Sequence, residues 1–386
     1  MQDAFKRNKK MRNKEYCYFD EFNIFDFDNS KPYRIEKPIR LIELFAGYGS
    51  QAMAIKKLCQ QFNHPYELYK ISEWEINAVK SYKALHTSDD KDYTSGLTKD
   101  DIVNQLIKWG ISIDGKNLYP KNKIEKRTLN WLKRVYNSFI STNNIGSITS
   151  IHASDLEIKD TNKYEYIMTY SFPCQDLSSI GLKQGMSKEK QTRSGLLWEV
   201  ERLLDECIEL PQILIMENVT QVHNFKNKHD FDKWCNKLTD LGYINFWKDM
   251  NASDYGIPQS RNRTIMISIL NADYGSYRFE KPTQLKMILE DILEKNVDEK
   301  YYLSEKMLDC FLEISRRNKN SSFHRYEKFM RNFNDDRKII SSTITTRTSG
   351  RVKAQYISNK SNEETRKYLN ERKRRKENKN KIINTT

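Results

Sequence analysis

A single cysteine in the middle of the chain has the surroundings of a chemical nucleophile. Cys174 lies in YSFPCQDLSSIGLKQG (170–185), where an apolar run ends in proline and turn-forming residues follow. A cysteine held just past a strand end can present its sulfur to a cleft, and the thiolate is its reactive form. Most lone cysteines are buried and inert, so the sequence leaves both a nucleophile and a core residue open for Cys174.

A carboxylate and two arginines end or begin other apolar runs. Glu217 closes QILIMENV (212–219), where its side chain suits either an acid role or ordinary loop bracing. Arg261 and Arg263 occupy alternate positions in QSRNR (259–263), so both can face the same side of a strand. Two guanidinium groups suit a phosphate or a developing negative charge, although a surface ladder has the same residues.

A second set of residues suits a nucleoside cofactor. Gly47 and Gly49 lie in ELFAGYGSQ (43–51), where glycines after a strand let the backbone approach a ligand closely; a simple tight turn is the alternative. Glu73 and Trp74 end the next run and suit ribose hydroxyls and the face of an adenine, although a lone tryptophan such as Trp74 is more often a core residue. Asp155, at the predicted end of the third strand, is a candidate for the amino group of that adenine.

Seven short apolar runs alternate with helical patterns and position these residues. Several runs lack polar alternation, as strands covered on both faces do. The alternation predicts a parallel, doubly wound α/β sheet. The last two runs are joined by a stretch too short for a crossover helix, so they predict an antiparallel hairpin at one sheet edge. The predicted strands are 40–47, 68–75, 148–155, 166–173, 212–219, 243–250 and 263–270, and the clearest helices are 49–62, 194–208 and 229–242.

Other segments lie outside this α/β rhythm. Residues 1–38 form an N-terminal extension, and the core at 39–270 contains a charged insertion at 87–147. A mixed, basic region follows at 271–355, and 356–386 is a basic tail. At least one amphipathic helix is predicted in the insertion, with Leu129, Leu132, Val135, Tyr136, Phe139 and Ile140 at helical spacing.

The composition favours a polyanionic partner. Among 386 residues, 66 Lys and Arg stand against 52 Asp and Glu, which gives a net charge of +14. A merely solvated basic surface would give the same count. Six scattered cysteines without metal-ligand spacing indicate a reducing, cytosolic chain without a structural metal. No run reaches the roughly 18 apolar residues of a membrane span, which favours an intracellular protein.

Taken together, these motifs resemble those of the DNA cytosine-5 methyltransferases. FAGYGS, SEWE, SFPCQ, ENV and QSRNR follow one another in that family's order, over roughly residues 38–270. YSFPCQDLS, TRSGLLWEVER (192–202) and the long insertion are most similar to the bacterial branch that includes mollicute CpG enzymes. The recognition residues lie where the similarity is lowest, so CpG specificity is not carried over.

The resemblance implies a Rossmann-like methyltransferase sheet and a reaction. A methyl group passes from S-adenosylmethionine to C5 of a cytosine flipped out of double-stranded DNA. Cys174 would add to C6 as a thiolate, and Glu217 would protonate or hydrogen-bond N3 and the exocyclic amine. Arg263, with Arg261, would steady the ring and a nearby phosphate. The setting implied is a restriction-modification system or a phage defence, in the cytoplasm with the nucleoid, without a metal or a membrane.

The resemblance also implies the roles of the cofactor pocket and the domains. It makes 39–270 the catalytic domain and 271–355 part of a target-recognition region. It assigns Phe45, Ala46, Gly47 and Gly49 to the methionine end of the cofactor, Glu73 to the ribose, Trp74 to the adenine face, Asp155 to the adenine amino group, and Gly195 and Leu196 to the methionine side.

One family feature is absent from this sequence. The family has a C-terminal Gly-Asn motif whose helix packs beside the first strand, and no Gly-Asn dipeptide occurs here. The chain is therefore expected to be truncated, to be one part of a split enzyme completed by a second polypeptide, or to use its N-terminal 38 residues as a substitute. A non-catalytic DNA-binding subunit and an RNA cytosine methyltransferase are the alternatives that the sequence leaves open.

Overall fold

The computed structural model describes residues 32–174, 177, 186, 194–294, 297–298, 341–342, 367, 371 and 374. Two compact units divide the chain. The first takes the described parts of Met1–Asp249 together with Arg263–Phe279, and the second takes Met250–Asn262 together with the described parts of Glu280–Thr386.

Strands and helices alternate along the first unit, as the periodicity predicts. The strands are β1 (Ile39–Leu44), β2 (Tyr66–Ser72), β3 (Glu165–Tyr170), β4 (Ile213–Asn218), β5 (Tyr243–Asn251), β6 (Gln259–Ser260), β7 (Asn262–Leu270) and β8 (Ser341–Ser342). The α-helices are α1 (Ser50–Gln61), α2 (Ile76–His86), α3 (Lys99–Lys108), α4 (Lys121–Glu125), α5 (Leu129–Ile140), α6 (Ala153–Leu156), α7 (Leu197–Glu206) and α8 (Lys228–Asp240). Short 3-10 helices span Ser194–Leu196, Thr220–His223, Ala252–Tyr255 and Leu289–Ile292.

Six strands form one mixed sheet in the order β2-β1-β3-β4-β7-β5. β1 pairs in parallel with both β2 and β3, and β3 pairs in parallel with β4. β7 runs antiparallel to β4 and separates it from β5, so the predicted edge hairpin is confirmed. Because the chain leaves β1 toward β2 and later returns on its other side, the crevice for a ligand is expected at the carboxyl ends of β1 and its neighbours.

Both faces of the sheet are covered, which confirms the doubly wound fold. Along β3, Tyr166 and Met168 pack in one cluster, and Ile167 packs in another. The first cluster includes Trp234 of α8, and the second includes Ala52 of α1. Adjacent residues of a strand point to opposite faces, so a run without polar alternation is what a two-sided burial requires.

One predicted strand is wrong. Residues 148–155 form turns and the start of α6, and the preceding residues pair with the sheet at an isolated bridge between Asn144 and Ile71. Ser147 donates its N–H to the carbonyl of Trp109, and Ser150 donates to Ser147, so these groups are not available for a strand ladder. Ile148 and Ile151 are nevertheless buried in the core. The sequence therefore predicts the burial of these residues correctly, but backbone groups of this segment form hydrogen bonds with turns and with Trp109 instead of with a neighbouring strand.

The charged insertion carries a small core of its own. α3 and α5 pack against each other and against α2, burying Leu106, Leu132 and Phe139 completely. α5 confirms the helix predicted from Leu129 to Ile140. Thr128 caps α5 by accepting the N–H of Trp131, which satisfies one of the free donors of the first turn. None of the helices in the described part of the chain is long and apolar enough to cross a membrane.

A buried carboxylate lies under the first helix. Glu43 on β1 is only 3% exposed, and its oxygens accept hydrogen bonds from Tyr82 Oη at 2.9 Å and from the N–H of Ala52 at 3.3 Å. Burial, which outweighs these bonds, raises the pKa of Glu43 to about 7. The unfolded chain loses this proton near pH 4.5, so ionising Glu43 in the folded protein costs stability as the pH rises to about 7.

Replacing Glu43 with Gln removes this pH dependence. We expect the free energy of unfolding of the unsubstituted protein to fall by about 3 kcal/mol between pH 4.5 and 7 from this group, because each pKa unit corresponds to about 1.4 kcal/mol. Urea unfolding at several pH values should show a flatter profile for Glu43→Gln. The exposed Glu67→Gln should keep the original slope. An unchanged slope in Glu43→Gln would contradict the assignment.

Candidate active site

The candidate residues lie at one edge of the sheet, in the order of the strands. Glu73 and Trp74 follow β2, the glycine loop follows β1, and Cys174 follows β3. Glu217 is the last residue but one of β4, and Arg263 is the second residue of the antiparallel β7, at the same edge. Glu73, Trp74 and the glycine loop therefore follow β2 and β1, and Cys174, Glu217 and Arg263 lie at the ends of β3, β4 and β7.

The loop after β1 contains three residues in the left-handed region. Phe45, Gly47 and Gly49 have φ values of 56°, 56° and 83°. Only glycine adopts these angles at little cost, so Phe45 is held there by its surroundings, in this case by packing against the core. The N–H of Gly49 donates to the carbonyl of Ala46 at 2.8 Å and closes the turn. Strained backbone of this kind clusters at functional sites.

The carboxylate of Glu73 organises the loop ends. Oε2 accepts the N–H of Gly47 at 2.8 Å, and Oε1 accepts the N–H groups of Trp74 and Glu75, also at 2.8 Å. Burial nevertheless raises the pKa of Glu73 above its ordinary value. A carboxylate has about four acceptor positions, so roughly one remains on Oε2 for a ligand hydroxyl.

Three further observations fit a nucleoside cofactor at this edge. A Cβ added to Gly47 would meet no atom of the described residues within 4 Å, so space is left against the loop backbone in this part of the structure. Trp74 is partly exposed, and its indole makes no ring contact with the other described residues. Gln51 Oε1 is buried and has no hydrogen-bond partner among the described residues. Space, an aromatic face and free acceptors are what a ribose, an adenine and an amino group require.

Asp155 does not lie where the sequence predicts. The expected third strand is missing, so Asp155 lies within the short helix α6, and its Oδ2 accepts the N–H of His152 at 2.8 Å. Its side chain lines a cavity of about 280 Å³ together with Lys70 and Trp109. Placement at the tip of a third strand is therefore wrong, and its role toward an adenine stays a prediction.

The Cys174 corner is fixed from both sides. Asn218 Nδ2 donates to the carbonyl of Phe172 at 3.1 Å, and Ser194 Oγ donates to the carbonyl of Pro173 at 2.7 Å. Proline has no N–H, so strand pairing stops here and the two carbonyls take side-chain donors instead. Cys174 itself is neither fully buried nor fully exposed, as a nucleophile beside a cleft needs to be.

Gly195 and Leu196 belong to the same corner. They follow Ser194 in the 3-10 helix that leads into α7, so its bond to Pro173 holds them beside the end of β3. Leu196 also packs against the core. The structure thus brings this predicted pair to the nucleophile loop, and contact with a cofactor stays a prediction.

A hydrogen bond joins the glycine loop and α1, which carry cofactor candidates, to the corner that carries Cys174. Gln51, in the first turn of α1, donates from Nε2 to Ser171 Oγ at 2.5 Å. Ser171 lies three residues before Cys174. The glycine loop and the cysteine corner therefore share one hydrogen-bonded framework, which can fix a donor of a chemical group relative to a nucleophile.

Glu217 and Arg263 form an ion pair across two strands. Arg263 Nε lies 2.8 Å from Glu217 Oε1, and both side chains are about one-fifth exposed. Glu217 pairs in register with Ile265, so Arg263 is its diagonal neighbour on the same face. A guanidinium held against a carboxylate fixes the orientation of that carboxylate.

Arg261 falls outside the strand pattern. It lies between β6 and β7, and its N–H donates to Asn251 Oδ1 at 2.9 Å within the second compact unit. The interruption means that Arg261 and Arg263 do not alternate on one continuous strand, as the sequence predicts. Joint action of the two arginines stays a prediction.

Several bracing residues were missed by the sequence analysis. Tyr82 and His86 of α2 lie directly behind the glycine loop, since a Cβ on Gly49 would lie 2.5 Å from Tyr82 and 2.2 Å from His86. The two rings stack at 4.2 Å, and His86 Nε2 lies 3.1 Å from the carbonyl of Tyr48. Burial lowers the pKa of His86, so a neutral imidazole donates this bond. Their i, i+4 spacing was the available signal.

Among the described residues, no group of three or more His, Cys, Asp or Glu side chains is arranged to hold a metal ion.

Comparison with known proteins places these motifs in a family. The sequence profile of the family "C-5 cytosine-specific DNA methylase" matches residues 107–384. The type II methyltransferase M2.ScrFI of Lactococcus lactis subsp. cremoris is 37% identical over 267 residues, which cover 69% of this chain and 70% of that protein. The orphan methyltransferase M.SssI of Spiroplasma monobiae is 36% identical over 267 residues, which cover 68% of this chain and 67% of that protein.

These matches cover most of the chain and include a protein from a mollicute, which confirms the resemblance drawn from the motifs. The chain belongs to the C-5 cytosine-specific DNA methylase family and is a DNA cytosine-5 methyltransferase.

Proposed function

We propose that the chain transfers a methyl group from S-adenosylmethionine to C5 of a cytosine flipped out of double-stranded DNA, through a covalent adduct with Cys174. The observation that carries this proposal is the shared corner of β3 and β4, where Asn218 holds the carbonyl of Phe172. That bond keeps Cys174 and Glu217 at neighbouring strand ends. A thiolate at Cys174 can attack the cytosine ring, and a carboxyl group at Glu217 can stabilise the charge that this attack creates on the ring.

The residues carry the reaction as follows. The Cys174 thiolate forms a bond to C6, and the electron pair of the C5–C6 double bond moves toward C5, which becomes nucleophilic. Glu217 holds a proton or hydrogen bond at N3 and relieves the negative charge on the ring. Arg263 orients the Glu217 carboxylate through their 2.8 Å contact. C5 would then bond to the methyl group that S-adenosylmethionine supplies, and the electron pair of the broken sulfur–methyl bond would stay on the cofactor sulfur. A base then removes the C5 proton, the double bond re-forms, and the bond between the Cys174 sulfur and C6 breaks.

The cofactor lies along β2 and β1 in this proposal. S-adenosylmethionine supplies an electrophilic methyl group when bound. Glu73 accepts a ribose hydroxyl at its remaining acceptor position, and Trp74 covers the adenine. Phe45, Ala46 and Gly47 line the methionine end, which Gly195 and Leu196 close from the opposite side. Asp155 is retained as a predicted partner of the adenine amino group.

The biological setting follows from the names of the relatives. The relatives include type II methyltransferases, so we propose a role beside a restriction enzyme or in a phage that resists one. The substrate is genomic or phage DNA, so the proposed location is the cytoplasm, with the nucleoid. Arg261 is the proposed partner of a phosphate near the flipped base.

Substituting Cys174 with Ser should abolish methylation without loss of cofactor binding, because serine is a far weaker nucleophile at neutral pH. Expression in a methylation-free host, followed by sequencing of 5-methylcytosine, measures this. The partly buried Cys207→Ser is the matched control and should keep methylating. DNA that contains 5-fluorocytosine should trap a covalent adduct with the unsubstituted protein alone, because fluorine cannot leave as a proton does. An adduct with Cys174→Ser would overturn the assignment.

Substituting two glycines with Ala distinguishes a loss of stability through backbone strain from a loss of cofactor binding. Gly47 and Gly96 both have a positive φ, and a Cβ added to either meets no atom within 4 Å. Each change to Ala therefore costs roughly 1 kcal/mol of stability from backbone strain. Only Gly47→Ala should also weaken S-adenosylmethionine binding, by at least tenfold in calorimetry, because its methyl group enters the proposed pocket. Equal affinities of the two variants would place the cofactor elsewhere.

A split enzyme is the second candidate, and one observation favours it. Large apolar side chains are exposed in and beside the two helices that flank the glycine loop: Tyr48, Leu58, Phe62 and Leu85. A second polypeptide that supplies the missing C-terminal motif would cover apolar surface next to the cofactor loop.

Co-expression with the neighbouring reading frame tests this candidate. If the enzyme is split, methylation should appear only in the doubly expressing strain, and the two chains should elute together in size-exclusion chromatography. Full methylation by the chain expressed alone would exclude the split enzyme.

A further inference from the structure

The insertion between β2 and β3 carries a strongly basic segment. Residues 116–134 contain seven cationic side chains and a single carboxylate, that of Glu125. This segment, called the basic face below, consists of Lys116, Lys121, Lys123, Lys126, Arg127, Lys133 and Arg134. The reaction proposed above uses none of these residues.

Most of these charges are exposed and lack acidic partners. Within the described part of the chain, no carboxylate lies within 4 Å of the amino groups of Lys123 and Lys126 or of the Arg134 guanidinium. Lys121 approaches Glu125 only at 3.8 Å, and Lys133 approaches Asp92 only at 3.9 Å. Exposed pairs at such distances neutralise little of the local potential.

Two acidic residues of the insertion accept hydrogen bonds from their own loops. Asp114 accepts the backbone N–H groups of Lys116 and Asn117, and Asp101 accepts the N–H of Thr98 in a helix cap. Their negative charge therefore faces local N–H donors. Lys123, Lys126 and Arg134 are exposed and have no carboxylate partner within 4 Å among the described residues, so an external anion can reach them.

The basic face is built on a rigid base. Ile124 of α4 and Leu132 of α5 are buried in the core of the insertion. Arg127 Nε donates to Tyr119 Oη at 2.7 Å, and its guanidinium lies 4.9 Å from the ring of Trp131. Lysines on a framework with fixed spacing lose less entropy on binding than lysines of a flexible tail.

Hydrogen bonds tether this segment to the edge of the active site. The N–H of Ser112 donates to the carbonyl of Trp74 at 2.8 Å, and Ser112 in turn accepts the N–H of Ile76 at 2.9 Å. Lys116 follows Ser112 by only four residues, and Trp74 adjoins Glu73 at the carboxyl end of β2. The basic face therefore starts from the same sheet edge that carries the candidate site.

We propose that the basic face binds the phosphate backbone of duplex DNA beside the methylated base, as a contact separate from the target-recognition region. The proposal rests on the proposed function, because it takes the DNA substrate as the partner. Lysine ammonium groups act as point charges toward phosphates and read no sequence. The contact would position the duplex and add affinity independent of sequence, with release of counterions. A solvated lysine surface is the alternative reading.

Neutralising three of the lysines tests this surface. The variant Lys121→Gln, Lys123→Gln, Lys126→Gln is compared with Lys226→Gln, Lys228→Gln, Lys233→Gln at the start of α8, where Asp230 and Asp232 interleave with the lysines. Both full-length variants lose the same net charge. Fluorescence anisotropy measures their affinity for a labelled duplex at several NaCl concentrations, and melting temperature and S-adenosylmethionine binding confirm the fold.

The basic-face variant should bind duplex DNA at least tenfold more weakly at low salt. The slope of log K against log salt should fall by about two to three, since each lost phosphate contact removes about 0.9. The control should keep the slope of the unsubstituted protein. Equal slopes for the two variants would mean that the basic face is only a solvated surface, and would overturn the proposal. A loss of affinity for single-stranded RNA without a loss of affinity for duplex DNA would overturn it as well.

Binding and turnover separate this proposal from the proposed function. The anisotropy measurement needs no methyl transfer and can be repeated in Cys174→Ser. If the slope falls but the unsubstituted chain produces no 5-methylcytosine, the surface stands and the stand-alone enzyme fails. If the unsubstituted chain methylates DNA and both variants bind alike, the enzyme stands and the surface fails. Absence of DNA binding by the unsubstituted chain overturns the surface.

Discussion

The hydrogen bond from Asn218 to the carbonyl of Phe172 joins the ends of two parallel strands, and the chemistry proposed for the site depends on it. β3 and β4 pair in register only as far as Tyr170 and Met216. Beyond that point no backbone hydrogen bonds of the strand ladder join the described segments that follow β3 and β4. Pro173 has no backbone N–H, so it cannot donate one there. One side-chain amide replaces the missing ladder and keeps Cys174 and Glu217 on adjacent ends. A buried amide suits this task because it satisfies a carbonyl that water does not reach.

Side chains also hold the glycine loop after β1, where the cofactor is proposed to bind. The Glu73 carboxylate accepts three backbone N–H groups and so holds one side of the loop. Tyr82 and His86 pack against the opposite side, next to Gly49. Strain at Phe45 is tolerated because the surrounding contacts define the loop independently. The buried acid Glu43 ties Tyr82 of α2 to β1, so one carboxyl group connects the helix behind the glycine loop with the strand that precedes the loop.

Much of the fold follows from the sequence because burial on both faces leaves long apolar runs. β3 is buried at every position, and its run predicts a strand without ambiguity. The same signal misled at 148–155, because apolar residues such as Ile148 and Ile151 are buried whether their backbone pairs with a strand or turns back on itself. Motif order located Cys174 and Glu217, but the braces at Asn218, Ser194 and His86 depend on three-dimensional packing that spacing alone does not encode.

The central pairing of β1 with β3 also has a consequence for how the chain reaches this structure. Arg40 and Tyr166 lie opposite each other across 126 positions of sequence. Closing a loop of that length before any strand contact forms is slow. The helices of the insertion pack on a core of their own within that span, so a compact helical element can form first and shorten the distance that β3 must search. An insertion that looks like an addition to the catalytic sheet thereby becomes an aid to its assembly.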